Sequence, residues 1–204
     1  FHADFVSGHV DLAKASGASI VFGPTAETGY EIISGEDNQE FKLGKVTVRL
    51  LHTPGHTPES SCYLLLNEQG NPHAVFTGDT LFIGDVGRPD LAQKGGEMTA
   101  EDMAGTLFDS LREKLLPLPN EVLVYPGHGA GSACGKNISD ETDSTIGEQK
   151  QSNYALSDMS RDAFIKELTT GILPPPSYFP QAARLNKAGY DDIEGLLESS
   201  VNPL

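Results

Sequence analysis

The chain has 204 residues, and its 29 Asp and Glu outnumber its 14 Lys and Arg, which gives a formal charge of −15. A length near ~200 residues fits one domain. So few cations argue against a nucleic-acid-binding face and against an anionic membrane surface as partner. No apolar run approaches the ~20 residues of a transmembrane helix, and no signal-peptide pattern opens the chain. If the substrate is an anion, local cations must overcome this acidic field.

The predicted elements are rich in strands at first and then rich in helices. In chain order they are a helix at 6–16, strands at 18–22, 40–43, 45–51, 62–67 and 73–77, a helix that starts after Thr99 and ends before Pro117, a strand at 121–125, and helices at 142–155, 160–169, 181–188 and 191–197. This mixture favours an α+β or mixed α/β architecture in which helices cover sheets.

The two cysteines indicate a reducing compartment, because one disulfide would not make a framework. We therefore expect a cytoplasmic protein. Cys62 lies in an apolar strand and is predicted to be buried. Cys134 lies in a Gly-rich stretch beside Lys136, where a cation would lower the pKa of an exposed thiol, and the sequence leaves a reactive and a structural role equally open.

Four segments share one pattern, in which an apolar strand and a Gly or Pro precede a His or Asp. They are His2-Ala3-Asp4, Leu50-Leu51-His52-Thr53-Pro54-Gly55-His56, Val75-Phe76-Thr77-Gly78-Asp79 and Leu123-Val124-Tyr125-Pro126-Gly127-His128. A strand end with a tight turn holds a side chain rigidly at a cleft, as metal ligands require. Imidazole and carboxylate together suit Zn, Fe or Mn.

Not every histidine fits this pattern equally well. For His52 and His73 a surface or hydrogen-bonded role is the simpler interpretation, and His9 in the first helix is expected to be structural. His56 and His128, together with Asp79, are the candidates that the shared context favours.

The order of these segments resembles that of the metallo-β-lactamase superfamily. Its first motif is His-x-His-x-Asp-His, so the first His would precede Phe1 and the last is replaced by Phe5. Within the superfamily the chain is similar to persulfide dioxygenases, also called sulfur dioxygenases, of the bacterial type fused to rhodanese domains. The cues are His2-Ala3-Asp4-Phe5 with Ser7-Gly8, Phe76-Thr77-Gly78-Asp79-Thr80-Leu81 with Gly87-Arg88-Pro89-Asp90, and Gly127-His128-Gly129-Ala130-Gly131-Ser132.

The resemblance implies an αββα sandwich that lacks its N-terminal part and has its site between the edges of two sheets. The domain would span 1–197, and 198–204 would start a linker to a further domain. One Fe(II) per chain would be held by His56, Asp79 and a His expected just before Phe1, with zinc as the alternative. The oligomeric state, including a homo-oligomer, stays open.

The resemblance also implies roles for the neighbouring polar residues. His2, Asp4 and His128 would be supporting groups or the remnant of a second metal site, which Phe5 cannot complete. Arg88 is the best candidate to bind a substrate carboxylate, against a salt bridge to Asp85 or Asp90, and Lys136 is a second candidate. The expected reaction oxidises a thiol persulfide with O₂ to sulfite and free thiol. The carrier thiol (glutathione, coenzyme A or another) stays open.

Two alternatives remain at this point. One is a thioester hydrolase similar to glyoxalase II, in which zinc activates water. The other is a catalytically inactive domain that serves a fused or partner module.

Overall fold

The structure is a computed structural model that describes residues 1–91 and 98–190. The predicted helix at 191–197 and the predicted linker at 198–204 lie outside these residues. The strands are β1 (Val21–Phe22), β2 (Ile33–Ser34), β3 (Glu40–Leu43), β4 (Val46–His52), β5 (Ser61–Leu66), β6 (Pro72–Gly78), β7 (Leu123–Pro126) and β8 (Ser144–Thr145). The α-helices are α1 (His9–Ser16), α2 (Ala100–Ser110), α3 (Ile146–Ser152), α4 (Arg161–Thr169) and α5 (Phe179–Ala188).

The strands form two sheets. β1 and β2 make a small parallel sheet, and the other six strands form one sheet in the order β3-β4-β5-β6-β7-β8. Its pairs are antiparallel except β6–β7, which is parallel and is connected through α2. Tyr63 of β5 donates a hydrogen bond to the carbonyl of Val21 in β1, which joins the two sheets. The sheets and helices confirm the predicted fold class.

Helices bury one face of the six-stranded sheet. Alternate residues of β5, including Cys62 and Leu64, point into a core to which α2 contributes Leu107 and α4 contributes Phe164. The prediction that Cys62 is buried is confirmed. On the other face, Phe76 and Tyr125 remain 46% and 37% exposed and stack with their centroids 5.6 Å apart.

Several element boundaries differ from the predictions. The predicted loop after residue 22 contains β2, since two residues suffice to pair with β1. The first strand begins at Val21 rather than residue 18, and the helix predicted at 142–155 divides into β8, α3 and a 3₁₀ turn. The helix after Thr99 begins as predicted, because Thr99 and Asp102 form a capping box, and it ends in a π-helical turn at Leu111–Leu115. Within residues 1–91 and 98–190, no helix has the length and apolar character of a membrane span.

Gly55 allows α2 to pack directly on the loop that carries His56. Its φ of +143° is a conformation that side-chain-bearing residues rarely adopt, and a Cβ there would lie 2.4 Å from Leu107 Cα. Ser110 of α2 donates a hydrogen bond to the carbonyl of Pro54 in the same loop. The glycine therefore fixes the position of His56 relative to the core.

We expect Gly55→Ala to lower the free energy of unfolding by roughly 3 kcal/mol or more, because it combines backbone strain with overpacking. Gly70→Ala is the matched control, since Gly70 has a φ of +81° but no neighbour within 4 Å of the added Cβ. In the Gly70→Ala variant the free energy of unfolding should fall by only about 1 kcal/mol. Urea denaturation measures both values, and equal losses would contradict the packing argument.

Candidate metal centre

Three strand ends bring the candidate ligands to one edge of the large sheet. β4 and β6 are each antiparallel to β5 and so run in the same direction, and β7 is parallel to β6. The loops after β4, β6 and β7 therefore start at the same edge, where they carry His56, Asp79 and His128. The segment with His2 and Asp4 lies at the same edge, where His2 approaches Asp79 and Asp4 approaches His128.

Asp79 is the centre of this cluster. Its Oδ2 lies 3.2 Å from His56 Nε2 and 3.4 Å from His2 Nδ1, and its Oδ1 lies 3.0 Å from His128 Nδ1. The other ring nitrogen of His128, Nε2, lies 3.9 Å from Asp4 Oδ1. The structure thus brings together all five residues that the sequence singled out for the metal region. The strand-end prediction is wrong for His2 and Asp4, because residues 1–5 lie in no strand.

The donor atoms of the cluster are buried but unsatisfied. Both carboxylate oxygens of Asp79, both ring nitrogens of His128 and Nδ1 of His2 make no well-formed hydrogen bond among the described residues, and their mutual contacts are ion-pair contacts of 3.0–3.9 Å. A buried charged group without partners is costly, so native proteins pair such groups or use them to coordinate metals. The residues present therefore fit a bound metal cation.

The charges of the cluster also suit a cation. Burial by itself raises the pKa of Asp79, but the imidazoles of His128, His2 and His56 hold it well below its usual value. Burial lowers the pKa of His128, but Asp79 and Asp4 outweigh this effect and raise it overall. The carboxylate is therefore charged, and positive charge is favoured beside it.

His56 is oriented to present one nitrogen to the cluster. Its Nδ1 lies 2.8 Å from the backbone carbonyl oxygen of Arg88, and a carbonyl can only accept, so Nδ1 carries the proton. In the neutral ring this leaves the lone pair on Nε2, the atom that faces Asp79. Hydrogen bonds of this kind set the tautomer of metal-binding histidines.

Cys134 belongs to the cluster, which the sequence did not predict. Three groups of donor atoms lie within 4.8 Å of one another: His2, Asp79 and His128; His56, Asp79 and Cys134; and Asp4, His128 and Cys134. The alternative of an exposed, activated thiol is wrong. Cys134 is fully buried and donates to Asp4 Oδ1, and burial together with the charges of Asp79 and Asp4 raises the pKa of its thiol. Its position six residues after His128 was the signal available in the sequence.

The aromatic ring of Phe5 contacts two histidines of the cluster, His2 and His128. Its ring stacks on His2 with centroids 6.1 Å apart and meets His128 edge-on at 6.0 Å. The ring is half exposed and offers no donor atom. An apolar group therefore stands beside the His128 ring.

The two residues proposed to bind substrate are engaged elsewhere. Arg88 is buried and donates to both carboxylate oxygens of Asp90, to the carbonyl of Ala133 and to that of Leu173, which uses four of its five N–H groups. Lys136 is exposed and donates to the carbonyls of Glu167 and Thr170 at the end of α4. The remaining histidines lie as the sequence suggested: His9 bonds Ser7 and Tyr30, His52 lies 2.9 Å from the Pro58 carbonyl, and His73 is exposed.

Two cavities adjoin His56. One, of about 420 Å³, is lined by Asp79, His2 and aromatic residues that include Phe76 and Tyr125. The other, of about 470 Å³, lies between residues near His56 and helix α5. A small molecule can therefore reach the metal cluster.

The profile of the metallo-beta-lactamase superfamily matches residues 1–128, and this chain belongs to that superfamily. It is 29% identical over 186 residues to the human mitochondrial persulfide dioxygenase ETHE1, covering 87% of this chain and 65% of that protein. The crystal structure of ETHE1 from Myxococcus xanthus matches with a TM-score of 0.74 and 32% identity, covering 92% of this chain and 73% of that one. A probable hydroxyacylglutathione hydrolase of Schizosaccharomyces pombe is 34% identical over 127 residues, or 62% of this chain and 44% of that protein. The chain thus spans less than half of the hydrolase and about two thirds of the human protein.

We expect His56→Ala to weaken metal binding more than ~100-fold, because loss of a direct donor should exceed the effect of losing a supporting group. His73→Ala is the matched control, since that imidazole is exposed. Metal content after dialysis, measured by plasma emission spectroscopy, separates the two variants. Retention of metal by His56→Ala would contradict the assignment.

Proposed function

We propose that this chain is the catalytic domain of an iron-dependent persulfide dioxygenase. The balanced reaction is RSSH + O₂ + H₂O → RSH + SO₃²⁻ + 2 H⁺. The likeness to the two ETHE1 proteins supports the proposal, because it extends over 87% and 92% of this chain, whereas the likeness to the fission-yeast hydrolase extends over 62%.

The position of Phe5 is the observation that carries this proposal. Hydrolytic members of the superfamily use two metals, and Phe5 stands where the first motif of the superfamily has its last histidine. Its ring faces His2 and His128 instead of offering a donor. An apolar ring also reduces hydration at this side of the cluster. Both effects favour a single metal.

His56, Asp79 and a histidine expected just before Phe1 are the proposed iron ligands. Fe(II) held by this set would supply the redox chemistry that the reaction of the persulfide with O₂ needs. The Arg88 carbonyl holds His56 in the orientation that the site needs. His2, Asp4 and His128 are proposed to orient the ligands and to tune their charge.

The substrate is proposed to be a low-molecular-weight thiol persulfide that carries carboxylates. Since the Arg88 guanidinium is paired with Asp90, the cavity beside α5 offers other cations. Arg184 and Lys187 line it, one helical turn apart. Lys187 lies 3.5 Å from the Glu27 carboxylate, so Arg184 is the better candidate of the two. We further propose a cytoplasmic location, a domain that spans 1–197, and a rhodanese domain after the linker at 198–204.

A second candidate function is supported by a different observation. Asp4, His128 and Cys134 place three donor atoms within 4.8 Å of one another, an arrangement that a second cation would fit. With two zinc ions such an arrangement activates water, as a thioester hydrolase similar to glyoxalase II requires. The fission-yeast relative, a probable hydroxyacylglutathione hydrolase, agrees with this candidate.

O₂ consumption by the iron-loaded full-length protein with glutathione persulfide tests the main proposal. We expect uptake with sulfite formation, and we expect Asp79→Ala to abolish it because the central carboxylate is lost. Asp143→Ala is the control, since this carboxylate is exposed. An oxygen electrode gives the rate.

Metal analysis and a thioester assay separate the alternatives. About two zinc per chain, thioester cleavage and no O₂ uptake would replace the dioxygenase with the hydrolase. Absence of both activities in the metal-loaded protein would indicate the inactive domain. Persistent O₂ uptake in Asp79→Ala would refute the ligand assignment.

We expect Arg184→Ala to raise KM for the persulfide about five-fold with kcat unchanged, equivalent to ~1 kcal/mol of charge-assisted hydrogen bonding. Arg184 is exposed, and its side chain donates a 3.2 Å hydrogen bond to Gln181 Oε1 on the same helix, so its loss should not disturb the core. Lys45→Ala is the matched control, because Lys45 also carries one positive charge but lies in the β3–β4 turn, outside both cavities. An equal rise in KM for the two variants would show that only the net charge of the protein matters.

A further inference from the structure

The side chain of Asn186 connects helix α5 to the segment that carries His2 and Asp4. Its Nδ2 donates to the carbonyl oxygens of His2 and Phe5 at 2.9 and 2.8 Å. Its Oδ1 accepts from the backbone N–H of Ser7 at 2.8 Å and from the Ser7 hydroxyl at 3.3 Å. Asn186 is 1% exposed, so both donors and both lone pairs of its amide are used inside the protein.

The backbone of the connected segment has no partner in a helix or strand, whereas the Asp4 carboxylate accepts hydrogen bonds from the side chains of Ser132 and Cys134. Residues 1–5 lie in no helix or strand, so their backbone carbonyls gain no partner from a regular ladder. The two carbonyls bound by Asn186 bracket His2, Ala3, Asp4 and Phe5. Ala3 also packs in a small buried cluster with Phe179, which lies at the other end of α5. α5 therefore supports this segment at two points.

We propose that Asn186 is a positioning residue of the metal centre. By binding the carbonyls on both sides of the segment, it sets where the His2 imidazole and the Asp4 carboxylate lie relative to Asp79 and His128. The proposal rests on the metal centre of the proposed function but is independent of the reaction catalysed there.

The chemistry requires an amide at this position. An aspartate has nearly the same shape but has no N–H to donate, so it would face the carbonyl oxygens of His2 and Phe5 with a negative charge. An alanine would leave both carbonyls and the Ser7 N–H without their partner in a buried place. Either change should let the segment move and weaken the contribution of His2 and Asp4.

Anaerobic titration of the metal-free full-length protein with Co²⁺ tests the proposal. We expect Asn186→Asp and Asn186→Ala to raise the dissociation constant for cobalt about 10-fold or more, in line with the loss of groups that orient ligands. We also expect the visible absorption bands of the bound cobalt to change, since they report ligand geometry. Thermal unfolding of the metal-free variants shows whether they fold.

Asn153→Asp is the matched control. Asn153 is 2% exposed and also donates from its amide to two backbone carbonyls, those of Phe82 and Asp85, but it binds no part of the segment at 1–5. This variant should lose a similar amount of thermal stability while its cobalt dissociation constant stays within about 3-fold and its spectrum is unchanged. General destabilisation would instead affect both asparagine variants equally.

The outcomes separate this proposal from the proposed function. Unchanged cobalt binding and spectra in both Asn186 variants, or equal losses in Asn153→Asp, would refute the positioning role alone. If Asn186→Asp does not fold, the cobalt dissociation constant and spectrum of Asn186→Ala decide the question by the same criteria. Wild-type protein that does not bind cobalt would refute the metal centre, and the positioning role with it.

Discussion

The burial of one unsatisfied carboxylate is the constraint on which the site depends. Asp79 is enclosed at a strand end, neither of its oxygens makes a well-formed hydrogen bond within the described residues, and three imidazoles lie 3.0–3.4 Å from them. Such a group is costly unless a cation or protonated neighbour balances its charge. The surrounding residues fit this need, because they supply nitrogen, sulfur and carboxylate donor atoms in groups that lie within 4.8 Å of one another. The same requirement explains why the donors share one edge of the sheet.

The packing that creates this edge is set by backbone geometry as much as by side chains. Strands that run in the same direction deliver His56, Asp79 and His128 to one end of the sheet. Gly55 lets α2 approach the first of these loops, and α5 supports the segment with His2. The helices that pack on these loops therefore also fix the candidate metal ligands, so stability and metal affinity should be coupled.

The acidic character of the chain limits where an anionic substrate can bind. With a formal charge of −15, each cation near the cluster matters, yet Arg88 is neutralised by Asp90 in a buried pair. The cations that line the cavity beside His56 come from α5, a helix whose position cannot be deduced from the strand-end motifs. The helix that lines this cavity is thus the same one that holds the segment with His2 and Asp4.

The sequence by itself determined the features that local patterns encode. Alternating apolar residues predicted the strands and the burial of Cys62, and the strand-end motifs with their resemblance predicted the superfamily and the cluster around Asp79. Only the tertiary structure decided the surroundings of Cys134, Arg88 and Asn186, because their partners are distant in the sequence or depend on which surfaces are buried. Asn186 meets His2 across a separation of 184 residues. No local pattern records such a contact, since a hydrogen bond depends on where the folded chain places both groups.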